Sequence, residues 1–126
     1  LIDMGEITDI TKEESIATFI AGIVRSVRFG FASSHGKANM MCYNFMEDNG
    51  AFTRNAEGKW VIDFEKAAEC INSWANLILT TQANGDFEFA QKYSSVNASI
   101  RENLAADIEK VNGAGIPRDI VFDFAW

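Results

Sequence analysis

Hydrophobic positions recur at helical spacing through most of the chain. Ile16, Phe19, Ile20, Ile23, Val24 and Val27 fall at i, i+3, i+4, i+7, i+8 and i+11, one stripe of an α-helix. Thr11 and Glu14 precede the stripe at capping-box spacing, so the helix starts there and is expected to run to about Phe31. Ala32-Ser33-Ser34 then offers a break and a fresh N-cap for a second helix through about Asp48. That helix carries Met40, Met41, Tyr43, Phe45 and Met46, apolar over much of its circumference, a pattern that belongs inside something larger.

Asn49-Gly50 closes the second helix. Ala51-Phe52-Thr53-Arg54 and Lys59-Trp60-Val61-Ile62 flank Asn55-Ala56-Glu57-Gly58, the pattern of a short hairpin with glycine at its turn. A lone hairpin needs helices to support it. Asp63 caps a third helix with Phe64, Ala67, Ala68, Ile71, Trp74, Ala75 and Ile78 on one face, ending before Asn84-Gly85. Asp86 to about Tyr93 reads as a short helix. Ser99 and Glu102 repeat the capping-box spacing before Leu104, Ile108 and Val111, and Gly113, Gly115 and Pro117 stop that last helix. The tail from Asp119 to Phe124 has β-type composition and predicts an edge strand. The fold class is therefore mainly α: one helical domain over residues 1–126 with a short β-hairpin and a C-terminal edge strand. One core is expected to hold Phe19, Ile23, Val27, Ile71, Trp74 and Ile78.

Composition agrees with a packed domain. Hydrophobic residues make up 48% and charged residues 23% of 126 residues, a globular balance. The net charge of -7, with no local Lys/Arg cluster, disfavours nucleic acid and anionic lipid as partners. No apolar run approaches a membrane span and no signal-peptide pattern opens the chain, so a soluble, cytoplasmic protein is expected. The first residue is Leu1, which suggests a fragment of a longer product. Cys42 and Cys70 lie far apart in apolar surroundings and read as two buried free thiols.

No complete catalytic set is present in the sequence. A zinc enzyme needs about three protein ligands, and this chain has a single His. Glu65 and Glu69 read as the solvated side of a helix. Ser33-Ser34-His35-Gly36-Lys37 lacks a neighbouring carboxylate to orient a base and lacks the second glycine and Gly-Lys-Ser/Thr ending of a phosphate loop, so neither a serine hydrolase nor a nucleotide site follows. Read from the residues, it is a polar helix junction with a solvated His, and a binding role is the rival reading. Arg25 and Arg28, one turn apart on the polar side of the first helix, read as surface ion-pair partners, with carboxylate binding as the lesser reading.

The run from Arg28 through Met40, with Gly50-Ala51-Phe52-Thr53-Arg54, Asp63-Phe64-Glu65-Lys66, Gly85-Asp86-Phe87 and Gly115-Ile116-Pro117-Arg118-Asp119-Ile120-Val121-Phe122, resembles the C-terminal part of bacterial members of the dipeptidyl peptidase III family, zinc-dependent exopeptidases. The resemblance spans nearly the whole chain. It implies a two-lobed parent with zinc held in the helical lobe by a His-Glu-x-x-Gly-His helix and a Glu-Glu-Cys-x-Ala-Glu segment, both absent here. It further implies that a His-x-x-Ala-Arg segment, whose histidine contacts bound peptide, corresponds to His35 through Asn39. His35 matches; Asn39 replaces the arginine and offers no charged fork to a carboxylate.

The resulting expectation is a segment of the catalytic lobe of a zinc dipeptidyl peptidase, inactive alone, with His35 and Asn39 in substrate binding. No metal site is expected in this chain, and zinc is expected in the parent. Its partners would be the remainder of the parent and, in the full-length protein, a peptide substrate. The alternative is a helical protein–protein interaction module whose apolar second helix or terminal strand docks a partner.

Overall fold

A computed structural model describes residues 1–119. Among them are five helices and one hairpin: α1 (Lys12–Val27), α2 (Ser34–Asp48), β1 (Phe52–Arg54), β2 (Trp60–Ile62), α3 (Phe64–Asn84), α4 (Phe87–Asn97) and α5 (Glu102–Gly113). The fold is mainly α, as the periodicities predict. The expected edge strand lies, from Ile120 onward, outside the described residues.

Local chemistry sets the helix starts. Thr11 and Glu14 form the complete capping box on α1, Glu14 N–H donating to Thr11 Oγ1 at 3.1 Å and Thr11 N–H to Glu14 Oε2 at 2.8 Å. Ser33, Asp63 and Asp86 cap α2, α3 and α4 with side-chain oxygens. Gly85, at φ 63°, ends α3 in the left-handed region.

Phe52 pairs with Ile62 and Arg54 with Trp60 in the antiparallel hairpin. These four side chains share its inward face, while Thr53 and Val61 face out. Asn55 Oδ1 accepts from the N–H groups of Glu57 and Lys59, and Gly58 at φ 75° completes the turn.

The core collects Ile16, Ile20, Ile23 and Val27 from α1, Met40, Tyr43 and Met46 from α2, Ala51 and Phe52 at the hairpin, Ala67 and Cys70 from α3, and Leu104 from α5. Tyr43, Phe52 and Trp60 form an aromatic cluster with ring centroids 5.0–6.0 Å apart. Cys42 and Cys70 are buried free thiols. Burial, with a smaller influence from Cys70, pushes the Cys42 thiol up to about 11, so it stays protonated at neutral pH.

Five expectations are corrected. Helix α1 ends at Val27 rather than Phe31, because Gly30 adopts φ 97° and turns the chain into α2. Its buried stripe is narrower than the periodicity suggested: Phe19 is 42% exposed, since packing meets one side of the helix only. On α3, Ile71 and Trp74 are half-buried and Ile78 is exposed, so the helix contributes to the core chiefly through its first half. The Ser99 box does not form. Arg101 is the N-cap of α5 and makes no side-chain cap bond, because a guanidinium has no acceptor, and the Ser99 hydroxyl donates instead to the Val96 carbonyl at 3.5 Å. Helix α4 also runs on to Asn97, past the predicted Tyr93.

Ile23→Ala is expected to cost about 2–5 kcal/mol, and Phe19→Ala less than about 1 kcal/mol, as at a partly solvated site. Denaturant unfolding of both variants checks the phase of α1; equal losses would contradict it.

Candidate functional site

The candidate site is the first turn of α2. Ser33 Oγ accepts from the Gly36 N–H at 3.1 Å, fixing the turn that carries His35. Gly36 is buried, and a Cβ built on it would stand 2.7 Å from Phe31 Cα and closer still to the Gly30 carbonyl oxygen. Only glycine lets the two backbones meet there. His35 is exposed beside this contact. Asn39, one turn on, is half-buried and donates through Nδ2 to Ser26 Oγ on α1 at 2.6 Å. Both predicted residues therefore sit on one stretch of helix, but Asn39 also ties α2 to α1, a role with no sequence signal.

The opposite end of α2 holds a polar cluster that sequence reasoning missed. Arg54 donates to Asp107 Oδ2 from Nε at 3.1 Å and from Nη2 at 2.8 Å, to Glu47 Oε1 at 3.0 Å and to the Tyr43 hydroxyl at 3.2 Å. It also lies over the Trp60 ring, 5.2 Å from the centroid, while Trp60 Nε1 donates to the same Asp107 oxygen at 3.0 Å. Arg101 donates to Glu47 Oε2 at 3.0 Å and bridges both Asp48 oxygens at 2.7 Å. Asn44, 2% exposed, donates to the carbonyls of Asn97 and Ser99, pinning the α4–α5 link to α2.

Electrostatics follow the geometry. Burial alone would raise Asp107, but hydrogen bonds from Arg54 and Trp60 outweigh it and hold the carboxyl below its ordinary value. Arg101 does the same for Asp48. Burial pushes the Tyr43 phenol up to about 12, so it serves as a neutral donor and acceptor.

Of the two arginines at the end of α1, Arg28 departs from the surface-pair reading and Arg25 follows it. Arg28 donates to Asn112 Oδ1 at 2.9 Å and to the carbonyls of Ile116 and Pro117, strapping the segment after α5 to the end of α1. Arg25 does make an exposed ion pair, with Asp119 at 3.5 Å.

Two apolar grooves flank these elements. One, of about 350 Å³, runs between α1, Trp60 and α5 past Val24, Ile108 and Val111. The other, of about 280 Å³, lies between α2, α3 and α4, with Ala38, one turn beyond His35, on its wall. No group of three or more His, Cys, Asp or Glu side chains among the described residues could hold a metal ion. No helix among the described residues is long and apolar enough to cross a membrane.

No protein-family model matches the chain. Among solved structures, dipeptidyl-peptidase III from Corallococcus sp. strain EGB superposes with a TM-score of 0.87 at 29% identity, over 96% of this chain and 22% of that one. Dipeptidyl peptidase III from Caldithrix abyssi superposes with a TM-score of 0.74 at 31% identity, over 82% of this chain and 20% of that one. The chain shares the fold of a segment of bacterial dipeptidyl peptidase III. The sequence resemblance thus has a three-dimensional counterpart. Nudix hydrolase 3 of Arabidopsis thaliana is 30% identical over 120 residues, 95% of this chain but 16% of that protein. A name that describes a whole protein carries no chemistry onto so small a share of it. The chain spans about a fifth or less of each of these relatives.

Two outcomes are expected. Gly36→Ala should destabilise the fold by about 1–3 kcal/mol, because backbone rather than a flexible side chain blocks the methyl group; an unchanged denaturation midpoint would contradict the close approach. Stability should also fall as pH drops through and below the ordinary aspartate value of 3.8. Asp48 and Asp107 have depressed folded-state values, so the unfolded chain binds more protons in that window. Denaturant titrations from pH 6 to pH 2 check this, and Asp107→Asn should flatten the slope.

Proposed function

We propose that the chain is a C-terminal segment of the catalytic lobe of a dipeptidyl peptidase III-type zinc peptidase, inactive alone, that supports the metal-bearing lobe and lends His35 and Asn39 to the peptide cleft. The fold match over nearly the whole chain carries this reading, and the exposed position of His35 on a rigidly anchored helical turn supports it. The described residues do not fit a zinc ion, so the work assigned to this chain is positioning. An imidazole N–H of His35 donates to a carbonyl oxygen of the bound peptide and gains strength as negative charge grows on that oxygen. Asn39 commits one N–H to Ser26 and keeps its carbonyl oxygen for a peptide N–H. With no guanidinium fork at this position, a peptide carboxylate is held less tightly than by the arginine of the family pattern.

In the product of the full reading frame, His35→Ala should lower kcat toward a dipeptidyl substrate about 100-fold or more with little change in KM, because such a donor acts mainly in the transition state. Its melting temperature should stay close to that of the parent. Unchanged turnover in a folded variant would remove the role. A reading frame without an upstream His-Glu-x-x-Gly-His would leave the interaction-module reading instead. Metal analysis of the 126-residue chain after extensive dialysis should show no stoichiometric zinc bound at micromolar affinity or tighter; one zinc per chain would contradict the assignment of the metal to other residues.

A further inference from the structure

From Ile71 to Asn84, α3 contains no charged residue, yet most of these side chains are exposed. A helix face that meets water normally carries charge, and depletion of charge around apolar residues marks a contact surface. Leu79 is 62% exposed here, and Phe87 at the start of α4 is 73% exposed. Ile78 and Phe89, on the same two helices, are also exposed and line the groove of about 280 Å³ together with Trp74 and Tyr93.

We propose that this face of α3 and α4 is the docking surface for the remainder of a longer polypeptide, which meets it with an uncharged apolar surface. The inference rests on the reading of the chain as a segment. The two solved neighbours carry this fold within chains of which it makes up about a fifth. An interface that is permanent within one polypeptide is apolar like a domain core cut in half. A second copy is the poorer occupant, because it would bring another net charge of -7 against the first.

Thiol alkylation tests the proposal, since the native Cys42 and Cys70 are buried and react slowly. Leu79→Cys is compared in the 126-residue chain and in the product of the full reading frame, with Glu65→Cys on the exposed, charged part of α3 as reference. The docking predicts that Leu79→Cys reacts at least about tenfold more slowly in the longer product relative to the reference. Phe87→Cys reports on the same face if the first variant folds poorly. Equal rates in the two proteins would overturn the proposal, as would a reading frame confined to these residues. Protection that grows with the concentration of the 126-residue chain would overturn it too, by making a second copy the occupant. A protected Leu79→Cys in a longer product with no peptidase activity would uphold the docking while the peptidase reading failed.

Discussion

The guanidinium of Arg54 is the point on which the placement of three elements depends. It leaves the inward face of the hairpin, reaches Glu47 and the Tyr43 hydroxyl on α2, and forks onto Asp107 of α5. The side chains of Arg54, Glu47 and Asp107 are only 20%, 15% and 23% exposed. Desolvating such charges is costly, and the arrangement holds only because each is paired and hydrogen-bonded. The hydrogen bonds from Arg54 to Asp107, Tyr43 and Glu47 overcome the opposing influence of burial and raise its proton affinity. A two-stranded hairpin is marginal by itself. Here it is held between the aromatic cluster beneath and the ionic cluster at its rim, and α5, which buries Leu104 but little else fully, is held by the same cluster.

Helix α2 is thereby fixed at both ends by unlike means. At its C-terminal end Glu47 and Asp48 are bound by Arg54 and Arg101. At its N-terminal end the Gly36 backbone contact, the Ser33 cap and the Asn39–Ser26 bond set it against α1. Met40, Tyr43 and Met46 fill the interior between. His35 is an exposed side chain on a backbone with little freedom, the combination a positioning residue needs. The uncharged second half of α3 adds little to the core of this chain.

The local parts of the fold were legible in the sequence because their causes are local. Thr11 with Glu14, Ser33, Asp63 and Asp86 announce helix starts by reach alone, and Asn55 to Gly58 announces the turn. Helix phase was legible where packing surrounds the stripe, as at Ile16, Ile20, Ile23 and Val27, and failed at Phe19 and Ile78, which packing leaves exposed. The ionic cluster joins residues more than fifty positions apart, so no spacing rule reveals it. An arginine facing inward across from Trp60 was its one signal, visible only once the hairpin register is assigned. Of the candidate site, His35 and Asn39 came from resemblance. The Asn39–Ser26 bond needed the α1–α2 packing, and the requirement for Gly36 needed the path of Gly30 and Phe31.

The central claim is that Arg54 and Asp107 act as one unit joining the hairpin to α5. A double-mutant cycle with Arg54→Met, Asp107→Asn and the double variant measures their coupling by denaturant unfolding. A coupling of at least about 1.5 kcal/mol is predicted, as for partners in one shielded charged network. Additive losses within about 0.3 kcal/mol would show two independent surface groups and contradict the account.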